Sequence, residues 1–215
     1  MPRYRLPELP YDYAALEPAI SGTIMELHHG AHHAAYVKGA NATAEQLAEV
    51  RAGGDLGTVP GLERTLAFFL AGHALHSIFW RNLSPDGGDE PHGALAAAID
   101  EFFGGFQRFR AEMTTVTVTL HGSGWGVLAW DPIGQRLVIH QIHDHHLNLA
   151  ITSMPLLVFD AWEHAFYLQY RNDKIAYIAQ LWSLVDWADV GARFEAARAG
   201  IPGEFLNCAE MSESG

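Results

Sequence analysis

Pro155-Leu-Leu-Val-Phe-Asp-Ala-Trp-Glu-His164 sets an apolar run against a carboxylate, with an imidazole four positions beyond it. Pro155 to Phe159 reads as a short buried strand. An aspartate at the end of such a strand and a histidine on the helical turn that follows can converge on one ion from adjacent elements, with Trp162 shielding it from water. Glu163 suits an outer acceptor that fixes an imidazole's orientation. An ordinary helix start with acidic first-turn residues accounts for Asp160 and Glu163 but leaves His164 unexplained.

Working outward, Trp125 to Trp130 and Leu137 to Ile142 are aromatic or β-branched, and Asp131-Pro132-Ile133-Gly134 between them reads as a hairpin turn. Thr114 to Leu120 is β-branched as well, so the chain is expected to leave helix there. Helical sequence follows the strand from Glu163 and again across Lys174 to Ala199. Upstream the chain is α-rich. An arm punctuated by Pro2, Pro7, Pro10 and Pro18 leads to a helix after Ser21, running from Ile24 to about Ala48. A second helix spans Leu62 to Trp80, and a third spans Leu95 to about Glu112.

Composition narrows the function. A formal charge of −12, from 13 Lys and Arg against 25 Asp and Glu, argues against a nucleic-acid binder, which needs clustered cations. No stretch matches a membrane span or a leader's apolar core, so a cytoplasmic protein is expected. The single Cys208 permits no intrachain disulfide. Histidine stands out: its 13 copies equal the Lys and Arg total, and imidazole is the commonest metal ligand.

Two further histidine groups extend the search. In His28-His29-Gly30-Ala31-His32-His33-Ala34-Ala35-Tyr36, residues four apart share a helix face. His28, His32 and Tyr36 therefore form one stripe, and His29 and His33 lie about 100° around the helix. In His73-Ala-Leu-His76 the flanking Ala67, Phe68, Leu70 and Ile78 imply a buried helix, where an imidazole must be bonded to something. An exposed histidine-rich face and a satisfied core histidine are the plain alternatives. Taken together, the three segments offer His, His, Asp and His, a mixed nitrogen and oxygen set suited to Fe, Mn or Zn. Spacing leaves a redox centre and a hydrolytic one both open.

The chain resembles the iron/manganese superoxide dismutase family from Leu6-Pro-Glu-Leu-Pro-Tyr-Asp-Tyr13 to Trp187-Ala-Asp-Val190. The motifs that carry the resemblance are Ala15-Leu-Glu-Pro18, Leu27-His-His29 with His32-His33 and Tyr36, His76-Ser-Ile-Phe-Trp80, Asn82-Leu-Ser-Pro85, Gly122-Ser-Gly-Trp125 and Asp160 to Tyr170. It implies an α+β fold, with a helical-hairpin domain over 1–88 and a C-terminal α/β domain over 89–215 holding a three-stranded antiparallel sheet. It implies His28, His76, Asp160 and His164 as ligands of one Fe or Mn ion, and conversion of superoxide to dioxygen and hydrogen peroxide by one-electron cycling.

By the same resemblance, His32 and Tyr36 form the substrate gateway, and Trp80, Trp125 and Trp162 exclude water. A homodimer or homotetramer is implied, with Glu163 reaching the partner's His164 and Tyr167 reaching the partner's His32. His145 stands where the family usually places a glutamine, and Gly72 follows the manganese-type pattern, so Fe and Mn both stay open. Further departures are Phe69 and Leu75 in place of asparagines and Ala31 in place of a lysine, which leaves Arg171 and Lys174 as the nearest cations. These departures motivate two other readings: a metal-dependent enzyme acting on an organic substrate, or a non-catalytic protein with a second metal site at His29, His33, His143 and His146.

Overall fold

The computed structural model describes residues 3–200; Cys208 lies outside them. The N-terminal arm is tied to the first helix by Asn41, whose Oδ1 accepts from the Arg3 and Tyr4 amides while its Nδ2 donates to Tyr4 O. Ser21 then caps α1 (Gly22–Leu27) by accepting from the Ile24 amide. The helix continues through a π turn, His28–His33, into α2 (Ala34–Arg51). Gly30 falls inside this wide turn, and the Tyr13 hydroxyl lies 3.7 Å from where a Cβ would stand. Such turns, with i→i+5 bonding, concentrate at functional sites.

After a short 3-10 turn (Leu56–Thr58), α3 (Val59–Asn82) packs antiparallel against α2 to complete a hairpin. Asn82, at the end of α3, makes two bonds with the open edge of the sheet: its Nδ2 donates to Leu156 O at 3.0 Å and its Oδ1 accepts from the Val158 amide at 2.9 Å. An edge strand is covered and the hairpin is fixed to the second half of the fold in one contact.

Two helical expectations ahead of the sheet need correction. The third helix is two, α4 (Gly93–Phe103) and α5 (Phe106–Val118), because Gly104 (φ 74°) and Gly105 (φ 121°) take left-handed backbone between them. Thr114 to Val118 stays helical despite its β-branched composition. Thr115, Thr117 and Thr119 donate their hydroxyls to the carbonyls four residues back, at 2.7–2.8 Å. Phe109, Met113 and Thr117 form the buried face of α5. Thr117 presses on Gly126 so closely that no Cβ fits there.

The sheet has strand order β2-β1-β3, all antiparallel, with β1 (Gly124–Asp131), β2 (Arg136–His143) and β3 (Met154–Asp160). The hairpin turn forms as read, with Asp131 carboxylate oxygens accepting from the Ile133 and Gly134 amides. β1 is central and carries Trp125, Val127, Leu128 and Ala129 into the core. Register pairs Trp125 with Asp160 and brings the end of β3 beside α3. A 3-10 turn (Glu163–Ala165), α6 (Tyr167–Tyr170), α7 (Lys174–Leu181), a second 3-10 turn (Trp182–Leu184) and α8 (Trp187–Gly200) close the fold, so the helical run expected from Lys174 is interrupted.

Candidate metal centre

Asp160 is fully buried at the end of β3. Its Oδ1 accepts from the Trp162 amide at 2.9 Å, which turns Oδ2 toward three imidazoles. Oδ2 lies 3.0 Å from His28 Nε2, 3.7 Å from His76 Nε2 and 3.2 Å from His164 Nε2. His28 comes from the π turn, His76 from the middle of α3 and His164 from the turn after β3. Among the described residues these four are the one group of three or more His, Cys, Asp or Glu placed to share an ion, and their donor atoms all fall within 4.8 Å.

The donors fit a metal. His28 Nε2 and His76 Nε2 are buried, and neither has a hydrogen-bond partner among the described residues; the approach of His28 to Asp160 lacks the alignment of such a bond. His76 Nδ1 donates to Gly72 O at 2.6 Å, which fixes the proton on that nitrogen and leaves Nε2 with a lone pair facing the cluster. Donors at about 2.1 Å from a common ion, set at roughly 90–125° to one another, stand about 3.0–3.7 Å apart, which matches the three separations from Asp160 Oδ2. Burial lowers His28 to about 4, against the opposing pull of Asp160, and lowers His76 well below its ordinary value. Burial alone would raise Asp160, but the neighbouring His164 and His28 outweigh it and hold the carboxyl well below the usual range. Neutral imidazoles beside an ionised carboxylate are ready to coordinate.

The sequence-predicted surround gathers here too. His32 stacks on His164 with centroids 4.5 Å apart at 21°. Tyr36 lies 5.0 Å from the His76 ring and 4.6 Å from the His145 ring, and burial raises its phenol far above the ordinary value. Trp125 packs edge-on to His76 and donates its indole N–H to His145 Nδ1 at 3.0 Å. His145 therefore carries its proton on Nε2, a buried atom without a partner among the described residues. Trp162 stacks on both His145 and His164 and donates to Asp144 O. Gly72 is required: a Cβ there would meet Tyr36 Cδ1 at 2.9 Å and His145 Cδ2 at 3.2 Å.

Other expectations resolve differently. His29 Nε2 bonds Pro7 O at 2.8 Å and His33 bonds both Trp80 and His73, so this pair is buried structure rather than a second ion site with His143 and His146. Leu75 belongs to the hydrophobic core, and Phe69 covers Gly39. One residue lining the site was read in the sequence only as an apolar flank of a buried helix. Phe68 lies 4.9 Å from His145 and 5.9 Å from Tyr36, and its signal was the four-residue spacing Phe68, Gly72, His76 on one face of α3.

Comparison with known proteins agrees with this geometry. Residues 3–84 match the α-hairpin domain of iron/manganese superoxide dismutases, and residues 91–193 match their C-terminal domain. The chain is 54% identical over 197 residues to a superoxide dismutase [Mn/Fe] of Propionibacterium freudenreichii subsp. shermanii, covering 91% of this chain and 98% of the relative. It is 51% identical over 203 residues to a superoxide dismutase [Fe] of Mycobacterium tuberculosis, covering 94% and 98%. It is 54% identical over 197 residues to a superoxide dismutase [Mn] of Nocardia asteroides, covering 92% and 95%. With both halves matched and full-length relatives at this level of identity, the chain belongs to the iron/manganese superoxide dismutase family.

Proposed function

We propose that this chain dismutates superoxide at a centre where His28, His76, Asp160 and His164 hold one Fe or Mn ion. The observation that carries the reading is the pair of buried, unpartnered imidazole nitrogens converging on an ionised carboxylate. A bound iron or manganese ion supplies a one-electron couple: one superoxide is oxidised to dioxygen, and a second, with two protons, is reduced to hydrogen peroxide. The protein's own residues do the rest. Trp80, Trp125 and Trp162 wall the cavity and keep bulk water out. His32 and Tyr36 stand at its entrance, and His145 offers its Nε2–H as a donor to an anion or solvent in the cavity. Gly72 leaves room for Tyr36 and His145 to sit side by side.

We further propose a cytoplasmic homo-oligomer, dimer or tetramer. Glu163 and the exposed Tyr167 line an open cleft of about 640 Å3 on the flank of His164, together with Ser123, Asn172 and Lys174. A second copy seated there would bring Glu163 to the partner's His164. The relatives are named for Fe, for Mn and for both at nearly equal identity, so the test uses each ion. Protein reconstituted separately with Fe and with Mn is expected to hold about one ion per chain and to accelerate superoxide decay with at least one of them. Full occupancy with each ion in turn, and no decay of superoxide with either, would sink the activity.

A further inference from the structure

Histidines set beside the candidate ligands take no part in the proposed chemistry, and two of them form a chain. Trp80 Nε1 donates to His33 Nδ1 at 2.9 Å, and His33 Nε2 lies 2.8 Å from His73 Nδ1. An indole N–H can only donate. His33 Nδ1 is therefore an acceptor, and the His33 proton resides on Nε2. That N–H donates to His73 Nδ1, which puts the His73 proton on its own Nε2. One tautomer of each ring satisfies both links of the chain, and the assignment runs outward from Trp80; Ser77 Oγ, 3.4 Å from His73 Nδ1, donates instead to His73 O at 2.8 Å.

The inner end of this chain rests on the ligands. The Trp80 ring meets His28 edge-on at 4.8 Å and 77°. The His33 ring stacks on His76 at 5.3 Å and 25°. His33 and Trp80 are both fully buried, while His73 is half-buried at the outer end, edge-on to Tyr4. Ring packing fixes the position of the buried indole, and the hydrogen bond at Nε1 adds a directional restraint on its orientation.

We propose that His33 and His73 are positioning residues of the metal centre, a tautomer-locked pair that fixes the Trp80 indole against His28 and the His33 ring against His76. This sets the angles at which the two N-terminal imidazoles present Nε2. It rests on the reading of His28 and His76 as ligands. It also accounts for the doubling of histidine at His32-His33 and at His73 and His76: one of each pair faces the cavity or the ion, and the other supports it from behind.

The test compares His33→Leu and His33→Gln in metal-loaded protein. Leucine leaves the Trp80 N–H buried without an acceptor. Glutamine can accept from Trp80 and donate to His73, restoring both bonds. The leucine variant is expected to retain its ion by elemental analysis, to shift the visible band of that ion and to move the indole N–H Raman band to its unbonded position. It should lower kcat roughly tenfold with KM little changed. The glutamine variant should return all of these toward the parent. His73→Ala, at the half-buried end where water can substitute, should fold and give the same shifts in smaller measure; it carries the test if His33→Leu does not fold. A leucine variant with the parent's spectra and kcat, or a silent His73→Ala alongside equal damage from leucine and glutamine, overturns the proposal. Parent protein that takes up no ion overturns instead the ligand reading beneath it.

Discussion

At the scale of single residues, burial favours the neutral form of His28 and of its neighbours His33 and His145, and this has a consequence for the metal-free protein. Burial lowers His28 to about 4, His33 to about 3 and His145 to about 4. In the unfolded chain each titrates near 6.5. Between about pH 6.5 and pH 4 the unfolded state thus binds protons that the folded state refuses, and stability falls as pH falls. Each group contributes a slope of up to about 1.4 kcal/mol per pH unit within its window. Asp160 does not offset this, because its depressed value stabilises the fold above the usual carboxylate range, and that contribution is lost only at lower pH. The expected result for chelator-treated protein is a Tm lower by at least about 5 °C at pH 4.5 than at pH 7. An unchanged Tm over that range would show that these rings take up protons without unfolding the cluster. Why each histidine matters was only partly legible in the sequence. The stripe of His28, His32 and Tyr36 and the pairing of Asp160 with His164 follow from helical spacing and strand position. Which of His73 and His76 faces the ion depended on the α2–α3 register, and the roles of His29 and His33 depended on Pro7, Trp80 and His73, distant in sequence.

Between elements, the approach of α2 to α3 is set by a glycine and a phenylalanine. A Cβ on Gly39 would stand 2.6 Å from the Phe69 ring, and Phe69 in turn neighbours Tyr36 and Phe68. The phenylalanine that departs from the family pattern is therefore tolerated because glycine faces it. Gly39→Ala is expected to destabilise the parent by about 1–3 kcal/mol through overpacking. In a Phe69→Ala background the clash is gone, and the same change should stabilise by up to about 1 kcal/mol from helix propensity. Urea unfolding of the four proteins in this cycle checks the reversal of sign; an equal effect of Gly39→Ala in both backgrounds would show that the contact does not set the helix spacing. The elements themselves were legible wherever hydrophobic periodicity decides the backbone's choice, as in the two hairpin helices, β1, β2 and β3. Periodicity failed at Thr114 to Val118, where hydroxyl bonds to i−4 carbonyls and an inward face at Phe109, Met113 and Thr117 outweigh β-branching. It also passed over Gly104-Gly105, two residues whose left-handed backbone splits one expected helix into two.

For the whole molecule, the remaining question is how an anionic substrate reaches a buried site in a chain of formal charge −12. Ala31 supplies no charge on the turn that carries His28 and His32, and the cation lining the cleft beside His164 is Lys174. Its ammonium donates to Leu120 O at 2.7 Å and shares the cleft with Glu163, so its field is partly cancelled where it is needed. Long-range repulsion from the net charge then outweighs this local attraction at low salt. At an ionic strength of about 0.01 M the Debye length is about 30 Å, and most of the chain's charge acts on an approaching anion. At about 0.1 M it is about 10 Å, and only charges near the mouth act. We expect kcat/KM for superoxide to rise several-fold between these two conditions, as screening removes the repulsion. Lys174→Gln should lower the rate at both and leave the direction of the salt dependence unchanged. A rate that falls with added salt in the parent, and becomes flat in Lys174→Gln, would mean that one lysine focuses superoxide strongly enough to overcome the net charge, so that this local charge and not the chain's overall charge governs the encounter.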